Sequence, residues 1–208
     1  MKDDILFGPE IDLRSTEYPL ILFVGRSNVG KSSIIRLISG KKVRIGKKSG
    51  TTVIPIAIFM GSYWIIDMPG IGFSAKHSRS DSFKISKTVI DFIDRHKECA
   101  IYSFIIEDIS SFPQIYLKLK SKNIEPISLL LFNYLRNFSK YTSIIMNKID
   151  KLRKKERIEQ LDFVSKVFGF ERWVPRSHLI IPFSAKTKEG YYELKMLIDS
   201  FVNKKRKE

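Results

Sequence analysis

Cysteine is almost absent: Cys99 is the only one in 208 residues. No disulfide can close within the chain, so a reducing, cytoplasmic compartment is the expectation. Between a helical stretch and an apolar run, Cys99 reads as a small buried hydrophobe. No apolar run approaches membrane-spanning length, and Met1-Lys2-Asp3-Asp4 lacks the basic start and apolar core of a secretory leader. Histidine is scarce, and His77, His96 and His178 have neither metal-ligand spacing nor nearby cysteine pairs. Acidic residues are in deficit, 22 against 37 Lys and Arg, which leaves a formal charge of +15. That surplus points to a polyanionic partner, nucleic acid ahead of membrane because no basic amphipathic anchor is present. Basic runs at 41–48, 151–157 and 204–207 are candidate contacts, and a solvated lysine-rich surface is the alternative.

What the chain does contain is organised around residues 20–33. An apolar run, Leu20-Ile21-Leu22-Phe23-Val24, feeds Gly25-Arg26-Ser27-Asn28-Val29-Gly30-Lys31-Ser32-Ser33, a match to G-x-x-x-x-G-K-[ST] between a strand and a helix. Gly25 and Gly30 permit backbone conformations and close approaches that a Cβ would block, so successive N–H groups can turn inward around phosphate oxygens. The helix starting near Lys31 adds its positive dipole end; Lys31 would reach the β- and γ-phosphates and the Ser32 hydroxyl would ligate Mg²⁺.

Length and an ordinary hydrophobic content of 43% suit one α/β domain. Residues 1–17, with Gly8-Pro9, read as an irregular lead-in, 18–203 as the domain and 204–208 as a basic tail. Residues 41–52 alternate basic residues with glycines and predict an exposed loop. A strand is expected over 53–60, at the sheet edge because of Pro55, then a tight Gly61-Ser62 turn and an antiparallel strand at 63–66. Asp81 is the expected cap of a helix to about 97, and 100–106 is a further strand. Residues 110–123 suggest a short helix, and Glu125-Pro126 opens another. A strand at 142–146, a charged helix over 152–168, a strand at 179–183 and a helix to about 203 complete the pattern. The alternation predicts a doubly wound sheet without repeats or linkers.

Four segments fall at the carboxyl ends of strands, and together they resemble the signature of the Ras-like GTPases: the loop at 25–33, Asp67-Met68-Pro69-Gly70, Asn147-Lys148-Ile149-Asp150 and Ser184-Ala185-Lys186. The loop and the run Trp64 to Phe73 are similar to the EngB (YihA) family of ribosome-assembly GTPases, archaeal members above all, over about 18–203. The resemblance implies a three-layer α/β/α domain with a mostly parallel six-stranded sheet and one antiparallel edge strand. It implies that Asp150 reads the guanine N–H groups, Asn147 braces the site, the Lys148 stem lies along the base and the Ala185 N–H faces the guanine oxygen. Asp67 would hold Mg²⁺ through water and the Gly70 N–H would contact the γ-phosphate. Within Gly50-Thr51-Thr52, Thr52 is the preferred Mg²⁺ ligand and Thr51 the competing choice, and loops 46–52 and 70–80 would switch with nucleotide. Ile71 stands where a water-orienting glutamine is usual, so intrinsic hydrolysis is expected to be slow, with Lys31, Asn28 and Gly70 as the groups at the reacting phosphate. Asn28 leaves two readings, a K⁺-holding residue or a stabiliser of the loop. Expected ligands and partners are GTP and GDP, ribosomal RNA or the large ribosomal subunit, and no membrane, for a cytoplasmic monomer linked through the family to cell division and septation.

Overall fold

The computed structural model describes residues 5–8, 10–41, 54–71, 79–171 and 178–205, with the backbone alone over 79–86, 204 and 205. Of the expected loops over 41–52 and 70–80, residues 42–52 and 72–78, His77 among them, lie outside the described residues, as do the last residues of the tail.

The strands are β1 (Ile5–Phe7), β2 (Leu20–Gly25), β3 (Ile56–Phe59), β4 (Trp64–Asp67), β5 (Ile101–Asp108), β6 (Tyr141–Asn147) and β7 (Ile180–Pro182), in the sheet order β1-β3-β4-β2-β5-β6-β7. The helices are α1 (Lys31–Ser39), α2 (Arg79–Arg95), α3 (Phe112–Lys120), α4 (Ile127–Leu135), α5 (Lys154–Val167) and α6 (Tyr191–Lys205). From β4 through β7 the pairings are parallel, whereas β1–β3 and β3–β4 are antiparallel. The six expected strands are therefore present and the lead-in adds a seventh.

That addition changes the environment of Pro55. It precedes β3 instead of lying within it, so no ladder N–H is lost, and its carbonyl accepts from the Gly8 N–H at 3.0 Å. β3 is not an edge strand, because β1 covers it in the register Leu6 to Ala57. The β3–β4 connection is the expected two-residue turn: the Met60 N–H bonds Tyr63 O at 2.9 Å and Gly61 takes φ +83°. Asp81 lies two residues inside α2 and does not cap it.

Alternation along the strands sends residues to opposite faces of the sheet. Leu22, Val24 and Ile105 pack with Val89 and Phe92 of α2, Phe112 of α3, Leu131 of α4 and Val164 of α5. Ile21, Phe23 and Phe104 pack with Ile34 of α1 and with Leu194, Ile198 and Phe201 of α6. All eight residues of β5 are buried, as expected of a central strand covered on both faces. Helix ends follow local chemistry: Gly40 ends α1 at φ +64°, and the Arg153 N–H at the start of α5 donates to Glu156 Oε2 at 2.8 Å.

His96, following α2, ties the lead-in to this framework. Its ring is buried, Nε2 accepts from the Leu13 N–H at 3.0 Å, and Nδ1 lies 2.8 Å from Phe92 O. Only the neutral ring with its proton on Nδ1 satisfies both bonds. Burial is the largest influence on the ring and pushes its pKa below the usual histidine value, over an opposing backbone hydrogen bond. The unfolded chain thus takes up this proton first as pH falls, and stability present above the unfolded pKa is lost on acidification. His96→Gln, which cannot ionise, should lose less melting temperature between pH 7.5 and 5 than the parent protein; parallel losses would contradict this role.

Candidate functional site

β2 is central, and the chain leaves its two sides in opposite sequence directions: β4 flanks it on one side and β5 on the other. Ligands meet open α/β sheets at the carboxyl ends of strands beside such a switch point. Register then decides what arrives there. Phe23 lies opposite Asp67, and Asp108 lies opposite Asn147, so the expected segments end at one level.

The loop between β2 and α1 is shaped by residues with positive φ, Asn28 at +66° and Gly30 at +95°. A Cβ on Gly30 would sit 2.2 Å from Asn147 Nδ2, and one on Gly25 would sit 2.4 Å from Ile106 O, so both positions require glycine for space. Asn is among the side chains that tolerate the left-handed region, which gives Asn28, exposed at the loop tip, a conformational reason to be there. α1 begins without a side-chain cap and without an acidic residue in its first turn, leaving its first N–H groups and dipole directed at the loop. The Ser33 and Ile34 N–H groups already bond back to Gly30 O.

At the base of the loop, the buried Lys31 ammonium pairs with Asp67 Oδ1, and the Ser32 hydroxyl donates to Asp67 Oδ2 at 3.1 Å. A hydroxyl and a carboxylate converging beside a buried ammonium form a hard oxygen donor set that fits Mg²⁺. No group of three or more His, Cys, Asp or Glu side chains gathers as a metal site among the described residues. Gly70 rests against the loop, where a Cβ would lie 2.8 Å from Ser27 Oγ, and the Ile71 N–H bonds Gly25 O at 3.0 Å. Met68 is fully buried, with its N–H on Phe23 O, and the buried Ile71 bridges Arg26. Pro69 lies between them. Gly50, Thr51 and Thr52 fall outside the described residues.

At the other end, Asn147 is buried and bonded twice. Its Nδ2 donates to Val29 O at 2.8 Å and its Oδ1 accepts the Ala185 N–H at 3.1 Å, so one amide joins the loop after β2 to the loop after β7. Lys148, at φ +67°, donates to Asn28 O at 2.8 Å and to Asp108 Oδ2 at 2.7 Å. Burial alone would raise Asp108, and hydrogen bonds from Lys148 and Ser110 outweigh it and hold the carboxyl below its usual value. Asp150 accepts from Ser184 Oγ at 2.5 Å, the Ile149 N–H bonds Phe183 O at 3.2 Å, and Lys186 is exposed at the rim. The sequence-predicted residues among the described set thus converge on one rim.

Two acids at the end of β5 were not foreseen as parts of the site. Asp108 anchors Lys148, while Glu107 is fully buried with its Oε2 3.8 Å from Nη1 of Arg26. Burial pushes Glu107 up to about 7 against the pull of Arg26. The available signal was the pair of acids closing an otherwise apolar run. The charged surface is also partly spoken for: Arg157 pairs with Glu189 at 3.0 Å, and Lys151 approaches Asp108 at 3.7 Å.

Fold and motif set together define a P-loop GTPase domain of the Ras-like class. A family model described as "50S ribosome-binding GTPase" matches residues 20–148. The "Probable GTP-binding protein EngB" of Methanosarcina barkeri is 39% identical over 168 residues, covering 80% of each chain, and that of Methanococcus aeolicus is 34% identical over 189 residues, covering 89% of this chain and 82% of the relative. A crystal structure of a probable GTP-binding protein EngB superposes with TM-score 0.77 at 31% identity, covering 89% of this chain and 99% of that one. The chain belongs to the EngB family of GTPases.

Asn147→Ala would leave the buried Val29 carbonyl and the Ala185 N–H without their partner. About 1–3 kcal/mol should be lost in urea unfolding, the cost of unsatisfied buried polar groups. A loss within error of zero would show that the amide is not the tie between the loops.

Proposed function

We propose that the protein binds GTP and GDP with Mg²⁺, hydrolyses GTP slowly as a switch, and acts in large ribosomal subunit assembly, linked to normal cell division and septation. One cytoplasmic, monomeric domain over residues 18–203 carries this activity. The observation that supports the nucleotide reading is the Asn147 amide, which ties the loop after β2 to the loop after β7 and so joins the two walls of the proposed pocket. In it, the Asp150 carboxylate accepts from the guanine ring N–H and amino group, Asn147 braces the walls, the Lys148 stem lies along the base and the Ala185 N–H faces the guanine oxygen. A pocket built to hydrogen-bond these groups rejects adenine by orders of magnitude.

At the phosphate end, N–H groups of residues 25–33 and the α1 terminus cradle the phosphates, Lys31 reaches the β- and γ-phosphates, and the Gly70 N–H meets the γ-phosphate. Ser32 would hold Mg²⁺ directly, with Thr52 as a further ligand and Asp67 through water; bound there, the ion neutralises charge on the phosphates. Hydrolysis is slow because the aliphatic, buried Ile71 cannot orient the attacking water. Asn28 supplies either a ligand for K⁺ beside the phosphates or only the left-handed loop conformation. The +15 charge and the family description support ribosomal RNA as partner. No helix among the described residues is long and apolar enough to cross a membrane.

Ile71 also favours a second reading, an RNA-binding assembly module whose docking is regulated by nucleotide with negligible turnover. Hydrolysis stimulated strongly by ribosomal subunits would exclude it.

Asp150→Asn should move preference from guanosine to xanthosine diphosphate by at least about tenfold in competition binding, because an amide donates where the carboxylate accepts. Undiminished guanosine selectivity would refute the base-reading role. Exchanging Na⁺ for K⁺ at constant ionic strength should speed hydrolysis if Asn28 holds the ion, and equal rates would leave it the conformational role alone.

A further inference from the structure

Glu107 belongs to none of the nucleotide motifs. It is the penultimate residue of β5, its side chain has no solvent exposure, and neither carboxyl oxygen has a hydrogen-bond partner. The Ser128 hydroxyl, in the first turn of α4, and the backbone N–H of Asp108 favour the carboxylate, both more weakly than Arg26 does. A buried carboxylate left this poorly satisfied is costly, and cores rarely keep one for packing. Its counterpart here is the guanidinium of Arg26, 3.8 Å away and about 28% exposed.

Arg26 is the second residue of the phosphate loop, and its location explains what such a pairing would control. The backbone of Arg26 bridges Ile71, the Ile71 N–H bonds the preceding Gly25 O, and Gly70 packs directly on the following Ser27. Arg26 therefore stands where the phosphate loop, the Asp67–Gly70 loop and, through Glu107 and Ser128, the start of α4 meet. We propose that Glu107 is a positioning residue: its carboxylate holds Arg26 and thereby fixes the phosphate loop against the Asp67–Gly70 loop, slowing nucleotide release.

The hold depends on ionisation. Burial acts most strongly on Glu107 and brings it to about 7; of the charged groups acting on it, Arg26 favours the carboxylate and Asp108 opposes it. Above that pH the ionised side chain attracts Arg26 and the loop is held. Below it the carboxyl is neutral and the restraint on Arg26 relaxes, so release quickens. The inference rests on the nucleotide-binding reading and adds to it a proton-sensitive control of dwell time.

The test is the release rate of a fluorescent N-methylanthraniloyl GDP, chased with unlabelled GDP in Mg²⁺ buffer between pH 6 and 8.5. Wild type should release roughly fivefold more slowly at pH 8 than at pH 6, the scale of one partly screened ion pair. Glu107→Gln should stay at the fast, low-pH rate throughout, Arg26→Gln should give the same flat profile, and the double variant should add nothing. A Glu107→Gln profile superimposable on wild type overturns the inference, as does an Arg26→Gln protein that keeps the pH step. Should Glu107→Gln fail to fold, Arg26→Gln decides alone by the same criterion. Folded wild-type protein that binds no labelled GDP refutes the nucleotide reading, and this inference with it; binding with matching profiles refutes this inference only.

Discussion

One side-chain amide sets the dimensions of the whole site. Asn147 donates to the carbonyl of Val29 and accepts from the N–H of Ala185, so three loops from β2, β6 and β7 are held at fixed separation in a buried position. Gly30 is glycine partly because that amide occupies the space a Cβ would need. Lys148 makes a second tie of the same kind, from Asn28 O to Asp108 at the end of β5. Buried polar groups joined in this way are rigid because every alternative leaves one of them unpaired.

The sheet makes these ties possible at short range. Parallel pairing of β2 with β4 and β5, and of β6 with β5 and β7, brings the carboxyl ends of five strands together although the segments are spread over most of the chain. Apolar packing on both sides of the strands locks the register, since a slip of one residue would carry Phe23 and Phe104 into the opposite, differently packed cluster and turn Asp67 and Asn147 away from the rim. The packing of the core and the geometry of the site are thus one constraint. Asp67 and Glu107 are both buried carboxyl groups, the first answered by Lys31 and Ser32, the second by a more distant Arg26 and, more weakly, by Ser128 and the Asp108 N–H.

The elements that were legible in the sequence are those written locally. The loop at 25–33 announces itself by glycine spacing between a strand and a helix, the turn at Gly61-Ser62 by its glycine, and the end of α1 by Gly40. β1 was not legible: three residues ending at Phe7, just before Gly8, carry too little pattern, and the strand exists because β3 offers an edge. Asp81 looked like a cap because α2 starts earlier than its apolar periodicity does. His96 bonding Leu13 and Glu107 facing Arg26 join residues 83 and 81 positions apart, and no local rule reports such meetings. The same limit applies to Asp108, which became part of the site only when β5 and β6 were placed side by side.

The central claim is that one pocket, rigid between its phosphate and base ends, holds a guanine nucleotide. Calorimetric titration of the protein with GDP and, separately, with ADP in Mg²⁺ buffer addresses it directly. A saturable one-to-one isotherm for GDP with no measurable heat from ADP is the predicted result. Silence with GDP, or ADP binding of equal strength, would contradict it.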